Sequence, residues 1–171
     1  MASDAGVALV IADIVDFHAI NSAFGRGEGD AILRRAAALI AATSPAEALV
    51  FRIGGDQFAV AFPIEGPPAD AVDSVVGALS ESFSAPMRSG ATEVALQLAL
   101  GTAVFPDRAA TAGELLDRAF LALRRGQERR TLAEVFTSEL EERLVRDVTV
   151  EQGLRSALAR EELSVGYQPK I

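Results

Sequence analysis

Asp13 and Asp56 are the residues of this 171-residue chain whose placement first suggests chemistry. Asp13 leaves the carboxyl end of a branched apolar run, Val7-Ala8-Leu9-Val10-Ile11. Asp56 sits on a Gly54-Gly55-Asp56-Gln57 turn between two further apolar runs. Two carboxylates at the ends of adjacent strands suit Mg²⁺, which takes one or two protein carboxylates and completes its shell with water and phosphate oxygens. Gly54 and Gly55 carry no Cβ, so a phosphate or a base can approach the backbone there. The same residue types also build ordinary hairpin turns. Taken alone, Gly-Gly-Asp serves either purpose.

The elements that must hold these residues follow from periodicity. Val7 to Ile11 is apolar on both alternation faces, the pattern of a central strand. A helix is expected over about 17–24, broken by Gly25 and Gly27. A second is expected over about 30–42, with Ile32, Leu33, Ala36, Leu39 and Ile40 forming a buried stripe. After Pro45, short strands over about 49–53 and 58–62 flank the Gly-Gly turn as a hairpin. A helix over about 71–83 turns Val72, Val75, Val76 and Leu79 inward, and a long alternating strand is expected over about 93–104. Thr111 and Glu114 form a capping box ahead of Leu115, Leu116, Ala119 and Leu123. The order β-α-α-β-β-α-β-α implies an α+β fold, a mixed and mainly antiparallel central sheet flanked by helices.

Composition sets the outer bounds. Half the residues are hydrophobic, enough for one domain with a substantial core and a short appendage. The net charge of −8 disfavours nonspecific nucleic-acid binding, although a metal or a basic side chain can reverse the local potential over a phosphate ligand. The absence of cysteine excludes disulfides and agrees with a cytoplasmic location. The first residues lack a signal-peptide pattern, and the run from Val7 to Ile11 is too short to cross a bilayer.

Several ordered motifs together resemble a GGDEF domain, the type that makes cyclic di-GMP. Asp13-Ile14-Val15-Asp16-Phe17-His18-Ala19-Ile20-Asn21 is similar to the family's first signature. Phe24-Gly25-x-x-x-Gly29-Asp30-x-x-Leu33 follows, then Arg52-Ile53-Gly54-Gly55-Asp56-Gln57-Phe58 and Gly101-Thr102-Ala103-Val104-Phe105-Pro106. The resemblance covers roughly 7–130 and implies a nucleotide-cyclase-like fold. It implies Asp13, Asp56 and the Ile14 carbonyl as metal ligands for Mg²⁺ or Mn²⁺ with GTP. It further implies Asn21 and Asp30 as guanine-recognition residues, with Gly54 and Gly55 beside the nucleotide. On the bare sequence, Asn21 can equally cap a helix and Asp30 can start one. Active relatives join two GTP-loaded copies face to face, which implies a homodimer.

Six positions depart from that pattern. Gln57 replaces the acidic residue after Asp56, and an amide neither accepts a proton nor gives a metal its charge. His18 stands where a phosphate-facing Lys is expected, and an imidazole holds no fixed positive charge. Gln127 stands at the position matched to a later phosphate-binding Lys; the nearby Arg124, Arg125, Arg129 and Arg130 either compensate or simply decorate a surface helix. Phe120 replaces a common Asp, and Pro45 and Ala48 occupy the positions of the family's Arg-x-x-Asp inhibition motif. These losses lead to the expectation of very weak or absent cyclase activity, so that this chain is not an active enzyme.

Beyond the domain, Ser138 with Glu141 and Thr149 with Gln152 suggest two capped helical pieces. The segment Leu154 to Ile171, with Tyr167-Gln168-Pro169-Lys170, resembles the entry to an EAL phosphodiesterase domain; an ordinary sheet-edge tail is the other explanation for its strand-like end. The expected division is 1–132 as the GGDEF-like domain, 133–164 as a helical linker and 165–171 as the start of an EAL domain in cis. The functional expectation is a regulatory domain that binds GTP and modulates that EAL domain. A nucleotide-independent dimerisation module and a weak cyclase making cyclic di-GMP and pyrophosphate from two GTP are the alternatives.

Overall fold

The computed structural model describes residues 6–89, 92–106, 109–160, 162–163 and 166. The chain falls into two compact units, 1–136 and 137–171.

The first unit is built on β1 (Gly6–Ile14), which lies between β3 (Gln57–Ile64) and β6 (Leu98–Phe105), antiparallel to both. Central in the sheet and covered by helices on both faces, β1 has no solvent-facing side, which is why its run is apolar throughout. β2 (Leu49–Gly54) pairs with the outer edge of β3, and β7 (Ala133–Val135) lies parallel to β6, giving the order β2-β3-β1-β6-β7. The expected mixed, mainly antiparallel sheet flanked by helices is the fold observed.

Helices cover both faces. On one, α2 (Arg26–Thr43) and α3 (Pro68–Ser82) bring Ile32, Leu33, Ala36, Ile40, Val72, Val75 and Leu79 into a single core with Ala8, Val10, Ala12 and Ile14 of β1. On the other, α4 (Ala112–Arg129) packs Leu115, Ala119, Ala122 and Leu123 inward. Gly101 of β6 is what lets α4 lie so close: a Cβ there would overlap the backbone of Ala119 and Leu123. Asp13 shares the alternation face of Leu9 and Ile11, so its side chain emerges on the α4 side.

Four boundaries differ from expectation. The α2 helix begins at Arg26 rather than near Asp30, because the break is Gly25 alone, with φ 84°, and Gly27 and Gly29 are helical. The strand expected over 93–104 is two strands. β5 (Thr92–Val94) turns away to pair with β4 (Met87–Ser89) before β6 begins, although Val94, Leu96, Leu98 and Leu100 are all buried as their alternation requires. The three-residue strands β4 and β7 are too short to leave a periodic signal. The two helical pieces expected after 137 are one helix, α5 (Ser138–Ala159), which with its flanks forms the second unit. Thr137, not Ser138, caps it by accepting from the Leu140 N–H, and Thr149 bonds back to the Val145 carbonyl instead of starting a new helix. Among the described residues no helix is long and apolar enough to cross a membrane.

Candidate functional site

β1 ends where the chain needs a sharp turn into α1 (Phe17–Phe24), and Asp16 supplies it in the left-handed conformation with φ 55°. The β2–β3 hairpin turns at Gly55, also left-handed with φ 55°. Glycine takes that conformation at no steric cost, and Asp is among the few other residues that tolerate it. Gly54 has no such requirement and no neighbour within 4 Å of where a Cβ would stand, so its missing side chain leaves open space on the turn. The Arg52 guanidinium closes the turn by donating to the Gly55 carbonyl from Nε at 3.1 Å and from Nη2. The Ile14 N–H donates to the Asp56 carbonyl at 3.3 Å, tying the end of β1 to the same turn.

Asp13 and Asp56 are thereby brought together. Asp13 faces Gln57 in the β1–β3 register, and Gln57 Nε2 donates to its Oδ2 at 2.7 Å. Gln127, in the last turn of α4, donates from Nε2 to the other oxygen, Oδ1, at 3.3 Å. Burial pushes the Asp13 carboxyl above its ordinary value; the Gln57 hydrogen bond opposes this, and the like charge of Asp56 adds to it. Among the described residues neither carboxylate is in an ion pair, and no cluster of three or more His, Asp or Glu side chains is present. Two neighbouring carboxylates, one half-buried and met only by neutral amides, form a donor set that a divalent cation fits.

A cleft of about 380 Å³ adjoins this pair. His18 and Asn21 of α1, Asp30 of α2, and Gly55 and Asp56 of the turn line it. Asp56 therefore belongs both to the carboxylate pair and to the cleft. Asn21 lies inside α1 and Asp30 inside α2, so neither caps nor starts a helix. Gly29 makes their approach possible: any side chain there would overlap Asn21 Oδ1. Gln57 and Gln127 stand at Asp13 rather than in the cleft. Of the basic group on α4, Arg125 pairs with Glu128 at 3.0 Å and Arg129 with Glu134 at 3.7 Å, Arg130 ends the helix, and none of the four lines the cleft.

The arginines that do line it are Arg52, which opens the Gly-Gly motif without a role assigned to it from the sequence, and Arg26. A signal for each was present. Arg52 is three residues before the carbonyl it binds, and Arg26 is one helical turn before Asp30.

A mainly antiparallel sheet with helices on both faces, carrying paired carboxylates beside a polar cleft, defines a diguanylate-cyclase-like α/β domain. The chain belongs to that family: the diguanylate cyclase GGDEF domain matches residues 2–131. It is 30% identical over 169 residues to the bifunctional diguanylate cyclase/cyclic di-GMP phosphodiesterase MucR of Pseudomonas aeruginosa, covering 98% of this chain and 24% of MucR. It is 33% identical to the diguanylate cyclase TpbB of the same species, covering 75% of this chain and 31% of TpbB. The crystal structure of the GGDEF domain of P. aeruginosa YfiN (TpbB) superposes with a TM-score of 0.73 at 29% identity, covering 77% of this chain and 83% of that one. The chain thus spans a quarter to a third of these curated relatives.

Two expectations are corrected. The EAL start is not supported: the family match is to GGDEF alone over 2–131, and the described residues after it form one short strand and one helix, with no part of a barrel. Tyr167, Gln168, Pro169, Lys170 and Ile171 lie outside the described residues. A short terminal motif without neighbours had too little context to identify a domain in cis. The expectation that the chain is not an active enzyme is corrected as well, because relatives 30% and 33% identical to it are named as a cyclase/phosphodiesterase and a cyclase. Loss of motif residues does not by itself remove the frame that holds Asp13 and Asp56 together, which is intact.

Proposed function

We propose that this domain is a diguanylate cyclase of low turnover, condensing two GTP into one cyclic di-GMP and two pyrophosphates across a pair of copies. The observation that carries this reading is the meeting of Asp13 with Asp56, which itself lines the cleft holding Asn21 and Asp30. Asp30 offers two acceptor oxygens to the ring N–H and amino group of guanine, and the Asn21 amide can meet the same base. Asp13 and Asp56, with the Ile14 carbonyl, would hold Mg²⁺ or Mn²⁺. When bound, the ion would offset phosphate charge and align the reacting oxygens.

The open space at Gly54 and the left-handed Gly55 leave the turn accessible to the triphosphate. One copy holds one GTP, so the second must present its own 3′-hydroxyl, and a homodimer follows. Gln57 orients Asp13 through its 2.7 Å hydrogen bond but cannot take a proton, which sets the low rate. The substrate, GTP, places the reaction in the cytoplasm.

Purified protein incubated with GTP and Mg²⁺ or Mn²⁺, followed by nucleotide separation, tests the reading. Cyclic di-GMP is expected to accumulate slowly with the native chain and not with Asp56→Asn. No product at saturating GTP over many hours would overturn it.

A further inference from the structure

We propose that Arg26 reads the O6/N7 edge of guanine and is a specificity-determining residue of the cleft. Arg26 is the first residue of α2, and Asp30 is four residues on, so the two stand one turn apart on one helix face. Both line the cleft together with Asn21, whose Oδ1 lies against Gly29. Among the described residues Arg26 forms no ion pair, Asp30 included. Arg placed N-terminal to Asp at this spacing is the weaker orientation of such a pair. A cation at a helix N-terminus also opposes the helix dipole, so local preference does not explain the residue.

Side by side, a free guanidinium and a free carboxylate present two donors and two acceptors. Guanine carries the complementary set: Asp30 can accept from N1–H and the amino group, and Arg26 can donate to O6 and N7. Adenine, with an amino group in place of O6 and no N1–H, mismatches both. The other cleft cation, Arg52, is held at the turn by the Gly55 carbonyl beside Asp56, the end where the phosphates would lie. Arg26 shares α2 with Asp30, one turn away, which assigns it to the base.

If the cleft takes guanine as proposed above, calorimetric titration of the full chain with GTP, 7-deaza-GTP, GMP and ATP in Mg²⁺ tests the role of Arg26. The native chain is expected to prefer GTP to 7-deaza-GTP by about tenfold, since the analogue lacks N7, and to bind ATP far more weakly. Arg26→Ala is expected to bind GTP and GMP more weakly by the same factor, roughly ten- to a hundredfold. It should no longer distinguish GTP from 7-deaza-GTP. Unchanged thermal unfolding would show that this exposed position leaves the fold intact. Equal GTP affinity in the variant and the native chain would overturn the assignment alone. A loss seen with GTP but not with GMP would also overturn it, and would place Arg26 on the phosphates. Failure of the native chain to bind any guanine nucleotide would overturn the cyclase reading itself, and this assignment with it.

Discussion

Asp13 binds its proton more tightly in the folded chain than in the unfolded one, because burial and Asp56 both disfavour its charge. Its folded pKa therefore lies above the ordinary 3.8, and the sign of its linkage follows. Below the ordinary carboxylate range both states are protonated and Asp13 costs nothing. As pH rises through the raised folded value the unfolded state has already ionised, and stability falls. Asp13→Asn should accordingly raise the melting temperature of the metal-free protein at neutral pH and leave it unchanged at acid pH. Mg²⁺ should raise the melting temperature of the native chain and not of the variant. Thermal melts at both pH values, with and without Mg²⁺, check this. At Gly29, an added methyl must displace the Asn21 amide from the cleft. Gly29→Ala is expected to weaken GTP binding about tenfold, roughly one misplaced hydrogen-bonding group, read by titration with circular dichroism as the fold control. Gly29 was legible as part of a motif, but its reason was not: nothing in the spacing of residues 21 and 29 says that their side-chain space is shared.

Packing of α4 on the sheet decides where Gln127 arrives, and Gly101 decides that packing. A Cβ at 101 would press on the Ala119 carbonyl and the Leu123 N–H, neither of which can rotate away. Gly101→Ala should destabilise the domain by about 1–3 kcal/mol, the usual range for overpacking, measured by urea unfolding. It should also loosen the 3.3 Å bond from Gln127 to Asp13. Elements with a full period were readable beforehand: α2 and α3 by their stripes, and β1 by its unbroken apolar run. The change of partner between β5 and β6 was not, because alternation continues through Val94, Leu96 and Leu98 while the chain changes sheets. Periodicity reports which face is buried and is silent on which neighbour buries it. Arg26, as the start of α2, was hidden the same way, behind two glycines that ordinarily end helices.

For the molecule as a whole, the proposed reaction needs two copies, each with one nucleotide. At concentrations below the dimer dissociation constant, the rate of cyclic di-GMP formation should rise with the square of protein concentration. A dilution series at saturating GTP reads this directly, and strict proportionality would mean that a single copy suffices or that the pair is already saturated at the lowest dilution. Residue order along the chain was enough to establish the family, the central strand, the hairpin with its Gly-Gly turn and the carboxylates at two strand ends, because those are local patterns of a few neighbouring residues. Only the folded chain decided that Gln57 and Gln127 both grip Asp13, across 44 and 114 residues of separation. It alone showed that Arg26 and Arg52, rather than the arginines of α4, line the cleft. Hydrogen bonds and shared cavities between distant segments follow from how sheet and helices pack, and packing leaves no mark in the spacing of residues along one strand or helix.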